Sequence, residues 1–537
     1  MFPNSTTTMP TKPKSITLHS SPSLRTIISY LIPSLAHCQV GFSTTSISGF
    51  QAMTGFLTTY GHPDPLTPTG YNMGLIPQQL AASFINLGTI LGLLLCATPL
   101  LQHTLSRRQT LWLASLISIL GSGLQLKHSP VSGLYARRII IGLSNGLFIS
   151  SANIYTSETA PAHLKHKISS LFPLWFCTGG VLGAVTNNFT QHLQTSWAYK
   201  IPLTCHITIP SLLCILVLFT PESPRWLLLH GRGKGEGHLD AARHSLILLR
   251  GHGTSLHTLD VEIDKEILEI QEDIGSQRKI KQSQSLLSRY LYLDLWTSHP
   301  QHHPHHDRRH TLLCISLFLT NSSSGIWLLL SYGTVVFQLS GVNHPFHASI
   351  YNNIANLLGT ILGLYLCTKQ GIQSSKSMMV LVLVGSFFQA VCMLGVAVPF
   401  TIMPDSDLAG VILLICVVVH GFVYSAFSGG LVVAKLCSQI VDPEFRGRVV
   451  GLGTGVNHVT AWLIAFTTPY FINTRELNWG PKAAFIWAAS NTVTSILLLL
   501  FLATETKGCT HKETDKVIQD QDHNLAKDEC RELSRLA

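Results

Sequence analysis

The chain has 537 residues, of which 46% are hydrophobic and 12% charged, with a formal net charge of +9. Charged residues are about half as frequent as in an ordinary soluble domain, which argues against a soluble enzyme, a disordered chain or a nucleic-acid binder. The basic residues concentrate in particular loops, so the positive balance reads as membrane topology rather than as affinity for an acidic partner.

Residues 1–25 are rich in Ser, Thr and Pro, with Lys12, Lys14 and Arg25 and no apolar core, so they form no secretory signal. Pro3, Pro10, Pro13 and Pro22 oppose the amphipathic helix of a mitochondrial presequence, and the segment reads as a disordered cytoplasmic tail. A membrane-crossing helix needs about 20 apolar residues. Twelve segments qualify: 26–50, 79–101, 110–126, 132–155, 169–190, 201–219, 311–338, 347–368, 376–398, 408–437, 447–472 and 482–503. Gly88, Gly92, Gly142, Gly146, Gly179 and Gly183 recur four residues apart, a spacing that lets helix backbones approach closely. The segments 51–78, 339–350 and 399–407 carry no Lys or Arg, whereas Arg107, Arg108, Lys165, Lys167, Lys369, Lys376, Arg446 and Arg448 lie on the opposite side, as does 220–310 with twelve. The positive-inside rule then places both termini and the long loop in the cytoplasm. The expected organisation is a tail at 1–25, a six-helix bundle at 26–219, a cytoplasmic loop at 220–310, a second six-helix bundle at 311–503 and a tail at 504–537.

Within the loop, Ile263, Ile267, Ile270 and Ile274 fall on one face of an amphipathic helix, and 238–250 reads as another. The His299–Asp307 run, interrupted by prolines, reads as a polar linker rather than a metal site. The twelve cysteines contain no CxxC pair and mostly sit in apolar runs, so no disulfide framework is expected. Asn188-Phe-Thr190 is a glycosylation sequon at an outer loop, close to the bilayer.

The two halves echo each other. Glu158, Lys165 and Lys167 map onto Gln439, Arg446 and Arg448 at one offset of 281, and Glu222 maps onto Glu505 at 283. Duplicated bundles with a site between them at mid-depth are the architecture of alternating-access carriers. Pseudo-symmetry would pair Glu222 with Arg446 and Glu505 with Lys165 as a latch on the cytoplasmic side; Arg107, Arg108, Glu158, Arg225 and Arg448 complete the charged clusters expected at that gate.

Three stretches carry a family resemblance. Pro221-Glu222-Ser223-Pro224-Arg225-Trp226-Leu227, Arg138 to Gly146 with Tyr155 to Pro161, and Thr504-Glu505-Thr506-Lys507-Gly508 resemble signatures of the sugar porter family of the major facilitator superfamily. Gly41-Phe42-Ser43 to Gly61 and Tyr332 to Gly341 resemble the fungal α-glucoside permeases within it. The resemblance implies an all-α polytopic membrane protein, twelve transmembrane helices in two pseudo-symmetric six-helix bundles with cytoplasmic helices in the central loop. It implies a non-enzymatic carrier of a sugar or glucoside, without cofactor or metal, whose partners are a small-molecule substrate and the lipid bilayer, not nucleic acid, and which works as a monomer in the plasma membrane.

Departures from the family pattern bear on the site. The paired glutamines of helix seven are Asn321 and Ser322 here, the following asparagine is Trp327, and the tenth-helix tryptophans are replaced by Gly429 and Ala434. The substrate-binding candidates are Asn321, Ser322, Trp327, Tyr332, Asn353 and Asn457; of the adjacent Asn352 and Asn353, one is expected to face the cavity. The family's first-helix acid is Ser43, which leaves Arg138 of the fourth helix without its usual partner. Loss of that acid resembles the facilitative branch, with Ser43, Arg138 and His458 as the residues on which any proton coupling would rest. Two alternatives are an exporter of a secondary metabolite and a transporter-shaped sensor that binds without turnover.

Overall fold

The computed structural model describes residues 24–127, 130–230, 237–250, 256–282, 304–369, 374–404, 406–441 and 446–502. The tails, Glu505 and the His299–His303 part of the histidine run lie outside the described residues, as does the side chain of Arg446.

Among the described residues, eleven helices are long and apolar enough to cross a membrane. Spans 2 to 6 are Leu75–Ala97, Arg107–Leu126, Val131–Thr159, Lys167–Thr190 and Trp197–Phe219; spans 7 to 12 are Thr311–Leu339, Pro345–Thr368, Ser375–Ile402, Asp407–Ile440, Gly447–Ile472 and Gly480–Leu502. Span 1, the helix Leu24–Phe50, crosses with them as the twelfth. Its apolar character is diluted by buried Ser34, His37, Gln39, Ser43, Thr44, Ser46 and Ser48, which are turned into the protein rather than to lipid, His37 and Thr44 toward the central cavity. Gln39 shows where that polarity goes: its amide meets Ser118 Oγ at 3.0 Å and the ring of His206, which Ser122 Oγ reaches at 2.7 Å.

Local chemistry sets the helix ends. Ser106 and Gln109 form a reciprocal capping box at the start of span 3. Ser374 caps span 9 and Ser406 caps span 10. Span 6 stops where Thr220, held extended before Pro221, cannot continue the helix.

Spans 1–6 and 7–12 form two halves, joined along span 1 with span 7, span 2 with span 11 and span 5 with span 8. Within the first half the glycine spacing has its expected effect: a side chain at Gly142 of span 4 would run into Ile85 O of span 2. The second half repeats the device, since a side chain at Gly359 of span 8 would run into Phe422 O of span 10.

The end of the bundle that carries Arg107, Lys165, Lys369 and Arg448 is termed the basic end. Two loop helices, Gly237–Arg250 and Leu256–Gln282, dock there. Ile263 and Ile267 pack on Leu246 and Leu228, and Ile274 is buried as well. Arg250 fastens the pair to the first half: Nη1 donates to Tyr30 Oη and to Thr159 O, both at 2.9 Å, while Nη2 meets Glu266 at 2.7 Å. At the opposite, far end, the 51–78 loop is not featureless. It forms a helix, Thr54–Tyr60, and a two-stranded antiparallel hairpin pairing His62–Pro63 with Tyr71–Asn72.

Candidate substrate cavity and its gates

A cavity of ≈ 3140 Å³ runs between the halves from a mouth at the basic end to about mid-depth. Its charged lining residues are all bases, Lys165, Lys167, Lys435 and Arg448, placed toward that mouth; no carboxylate lines it among the described residues.

The deep wall is built on interrupted helices. In span 7 the helix Pro304–Ser322 stops, Gly325 adopts φ +99°, and Ile326–Leu339 resumes. Glycine takes this conformation without strain, and a Cβ there would press on Met393 and Trp487. In span 10 the helix Asp407–Val423 passes into a π-helical turn at Tyr424–Ser428 and restarts at Gly430. Asn321 joins the two breaks: Nδ2 donates to Ser428 O at 2.5 Å, and Oδ1 accepts from Tyr424 Oη at 3.2 Å. Ser322 Oγ donates to Asn457 Oδ1 of span 11 at 2.5 Å. The Ser324 carbonyl, freed by the break, meets His420 Nε2 at 3.1 Å and Asn491 Nδ2 at 2.9 Å. Discontinuous helices at mid-depth whose freed backbone groups are locally satisfied are how carriers shape a solute site.

The structure brings Asn321, Trp327, Asn353 and Asn457 to the cavity wall. Trp327 both packs and lines: it clusters with Ile326, Ala461 and Ile464, while its indole Nε1 has no hydrogen-bond partner among the described residues. The His458 ring stands 6.0 Å from it, centroid to centroid, also on the wall. Of the adjacent asparagines, Asn353 lines the cavity and Asn352 turns toward Gly421 of span 10. Ser322 touches the cavity only through Asn457.

Tyr332, expected among the ligand residues, lies elsewhere. It is fully buried, lines no part of the cavity, and donates to Ala465 O of span 11 at 2.7 Å. Five residues beyond Trp327, it sits about 7.5 Å farther along the helix axis, inside the closure of the far end. The same closure includes Ser48 of span 1, whose Oγ accepts from Thr334 N at 2.9 Å. Above these contacts the hairpin meets the loop between spans 11 and 12. Arg475 Nε donates to Asp64 Oδ2 at 3.0 Å, and Asn72 Nδ2 reaches both Asp64 Oδ2 at 3.1 Å and Asn473 Oδ1 at 3.4 Å. Arg475, followed by Asn72, holds the Asp64 carboxyl below its ordinary range. This is the one ion pair between the halves among the described residues.

Among the described residues, the ion pairs of the basic end lie within the first half and its loop helices. Arg107 grips both oxygens of Glu158, at 2.9 and 3.0 Å, and Ser223 Oγ donates to the same carboxylate at 2.6 Å. Arg108 donates to Leu218 O at 3.3 Å, and Arg225 pairs with Asp273 of the loop helix at 2.6 Å. Glu222 accepts from the adjacent Ser223 N at 2.9 Å; its expected partner, the Arg446 side chain, lies outside the described residues. The expected counterpart of that pair, Glu505 with Lys165, lies outside the described residues on the Glu505 side; Lys165 and Arg448 line the mouth.

The coupling candidates are dispersed. Arg138 is 2% exposed, does not line the cavity, and donates to Ala81 O at 3.2 Å rather than to a carboxylate. Ser43 donates to Val40 O at 2.9 Å and accepts from Asn145 Nδ2 at 2.8 Å. Asn188 falls in the last turn of span 5, where its Oδ1 accepts from Gln191 at 2.7 Å and the sequon's Thr190 donates to Thr186 O at 3.1 Å. That places the sequon in helix rather than in an outer loop.

Sequence reasoning did not find the Asp64–Arg475 pair. The signal was present: Asp64 is the first acid of the chain, and Arg475 is the lone base of 473–479, on the side where bases are sparse. Nor did it single out Asn86 and Asn145, which line the cavity from spans 2 and 4.

Comparison with known proteins agrees with this geometry. The sequence model of the family described as "Sugar (and other) transporter" matches residues 30–518. "Probable glucose transporter rco-3" of Neurospora crassa is 26% identical over 499 residues, 90% of this chain and 77% of that protein. "Major facilitator-type transporter ecdD" of Aspergillus rugulosus is 27% identical over 503 residues, 90% of this chain and 85% of that protein. The partially occluded inward open structure of the xylose transporter XylE from E. coli superposes with a TM-score of 0.68 at 17% identity, covering 89% of this chain and 98% of that one.

Proposed function

The chain belongs to the sugar (and other) transporter family, and on that premise we propose that it carries a neutral, hydroxyl-rich solute, a sugar or glucoside, by facilitated diffusion. The observation that carries this reading is an asymmetry: one chamber reaches broken helices at mid-depth, opens at the basic end and is closed at the far end. Alternating access requires such a state and its mirror. A neutral solute suits a deep wall of amides, hydroxyls and an indole without a carboxylate among the described residues. The relative's printed description, a glucose transporter, points the same way.

Uncoupled movement is supported by Ser43 standing where the resembled family has an acid and by Arg138 engaging a carbonyl outside the cavity. The distribution of Lys and Arg supports a cytoplasmic basic end and cytoplasmic termini, so that the present form is inward-open; the family resemblance supports the plasma membrane as its place and a monomer as the working unit.

The test is net uptake of radiolabelled D-glucose and maltose into empty liposomes carrying the full chain. The wild type equilibrates one or both without exceeding the outside concentration under an imposed proton gradient, and Asn321→Ala and Trp327→Ala depress flux at unchanged protein level. Accumulation above equilibrium overturns the uncoupled mechanism. Binding without flux overturns the carrier reading in favour of a sensor.

A further inference from the structure

Six residues of the cavity wall bury a side-chain nitrogen or oxygen that finds no hydrogen-bond partner among the described residues: His37, Thr45, Asn86, Asn145, Trp327 and His458. Buried polar atoms are nearly always paired, so unpaired ones on a cavity wall mark where a ligand or water is received. Most of the group belongs to the first half, opposite the wall formed by Trp327 and Asn457.

Asn145 is the most informative. Ser43 Oγ gives its single proton to Val40 O at 2.9 Å. The Asn145 atom that meets Ser43 Oγ at 2.8 Å must therefore be an N–H donor. That fixes the amide and leaves Oδ1 as the unpartnered acceptor. Helix–helix adhesion accounts for the engaged Nδ2 but not for the free Oδ1. Asn86 is complementary, because its Nδ2 is an unpartnered donor. The glycine seam sets its level: side chains at Gly142 and Gly146 would strike Ile85 O and Thr89 O, which puts residues 86 and 145 within a turn of each other on adjacent helices. Both are at least nine-tenths buried, at 4% and 1% exposure, and both line the cavity.

We propose that Asn145 and Asn86 form a second hydrogen-bonding subsite that reads hydroxyl groups of a neutral polyol from the first half, with Ser43 as the residue that positions Asn145. The solute's opposite face meets Trp327 and Asn457. The proposal rests on the carrier reading and deepens it: Ser43 serves recognition, not proton coupling. A hydroxyl both donates and accepts, so it satisfies Asn145 Oδ1 and Asn86 Nδ2 alike, whereas a deoxy analogue leaves one of them unpaired.

The experiment uses the full chain in liposomes, with D-glucose and maltose as transported probes and the 2-, 3- and 6-deoxyglucoses as competitors. Wild-type protein discriminates against at least one deoxy analogue, and Asn145→Ala raises KM about tenfold and erases that discrimination, as loss of one buried hydroxyl contact requires. Ser43→Ala weakens the discrimination in the same direction, while Ser43→Thr, which keeps the hydroxyl, restores it. A merely structural asparagine would lower yield without altering which analogue is refused. Should Asn145→Ala not give monodisperse protein, Asn86→Ala carries the same test, since the Asn86 side chain makes no hydrogen bond among the described residues. Normal flux with unchanged deoxy discrimination in the variants overturns the subsite alone. Flux of neither D-glucose nor maltose by the wild type overturns the carrier reading and the subsite with it.

Discussion

At the far end of the bundle the halves meet through carbonyls, hydroxyls and one carboxylate–guanidinium pair; at the basic end, richer in charge, every ion pair among the described residues stays within the first half and its loop helices. The number of charges therefore does not decide which end is shut. What decides it is which groups span the gap. Asp64 and Arg475 come from loops of opposite halves and have no closer partner of opposite sign. Glu158 is committed to Arg107 and Ser223 on its own side, so it holds the first half together and leaves the mouth free.

The comparison can be broken most completely by pinning the far end. Cysteines at Asn72 and Asn473, joined by a short reducible thiol cross-linker, are expected to reduce counterflow to background, and reductant is expected to restore it. Flux that survives verified cross-linking would show that the far end does not open. Next in size, Arg475→Ala should shift the balance between the two end-open states about tenfold toward far-end opening, the scale of one charge-assisted hydrogen bond. Spin-label distances across that end measure it. Acidifying the medium that faces the far end should act in the same direction but less strongly. Asp64 has its carboxyl held below the ordinary value of 3.8 in the closed form, so its contribution is complete above that value and fades as pH falls through the lowered one. The distances should therefore stay constant from pH 7 to about pH 5, lengthen below the ordinary carboxylate range, and not respond to acid in Arg475→Ala. The smallest effect on the comparison is expected from Glu158→Gln. Breaking its partly buried pair with Arg107 costs roughly 3 kcal/mol of stability, seen as a lower melting midpoint, while the distribution between end-open states moves little.

Architecture was legible because its causes are local. Long apolar runs, glycines four residues apart and the bias of bases act within one helix or one helix pair. The sequence reading placed Asn321, Trp327 and Asn457 on the cavity through motif position, and Asn353 because one of two adjacent asparagines was expected to face it. It misplaced Tyr332, because depth along a broken helix depends on where Gly325 interrupts span 7, and nothing near Tyr332 announces that. The latch expected from Glu222 with Arg446 and from Glu505 with Lys165 rests on pseudo-symmetry alone, since the Arg446 side chain and Glu505 lie outside the described residues. The sequence reading passed over Asp64 with Arg475, separated by 411 positions in sequence, since long-range pairing of two loop residues leaves no local pattern. Span 1 shows the same limit: its Ser, Thr and Gln content reads as a weak membrane helix, whereas those groups are spent on neighbours such as Ser118, His206 and Asn145.

The Arg250 anchor carries a mechanical consequence. By tying both loop helices to spans 1 and 4, it makes them cargo of the first half. A bulky tag or antibody fragment on the exposed side of those helices, at Leu239 or Leu268, would add viscous drag to one rotor while leaving the other unburdened, giving an outside handle on the rocking motion itself.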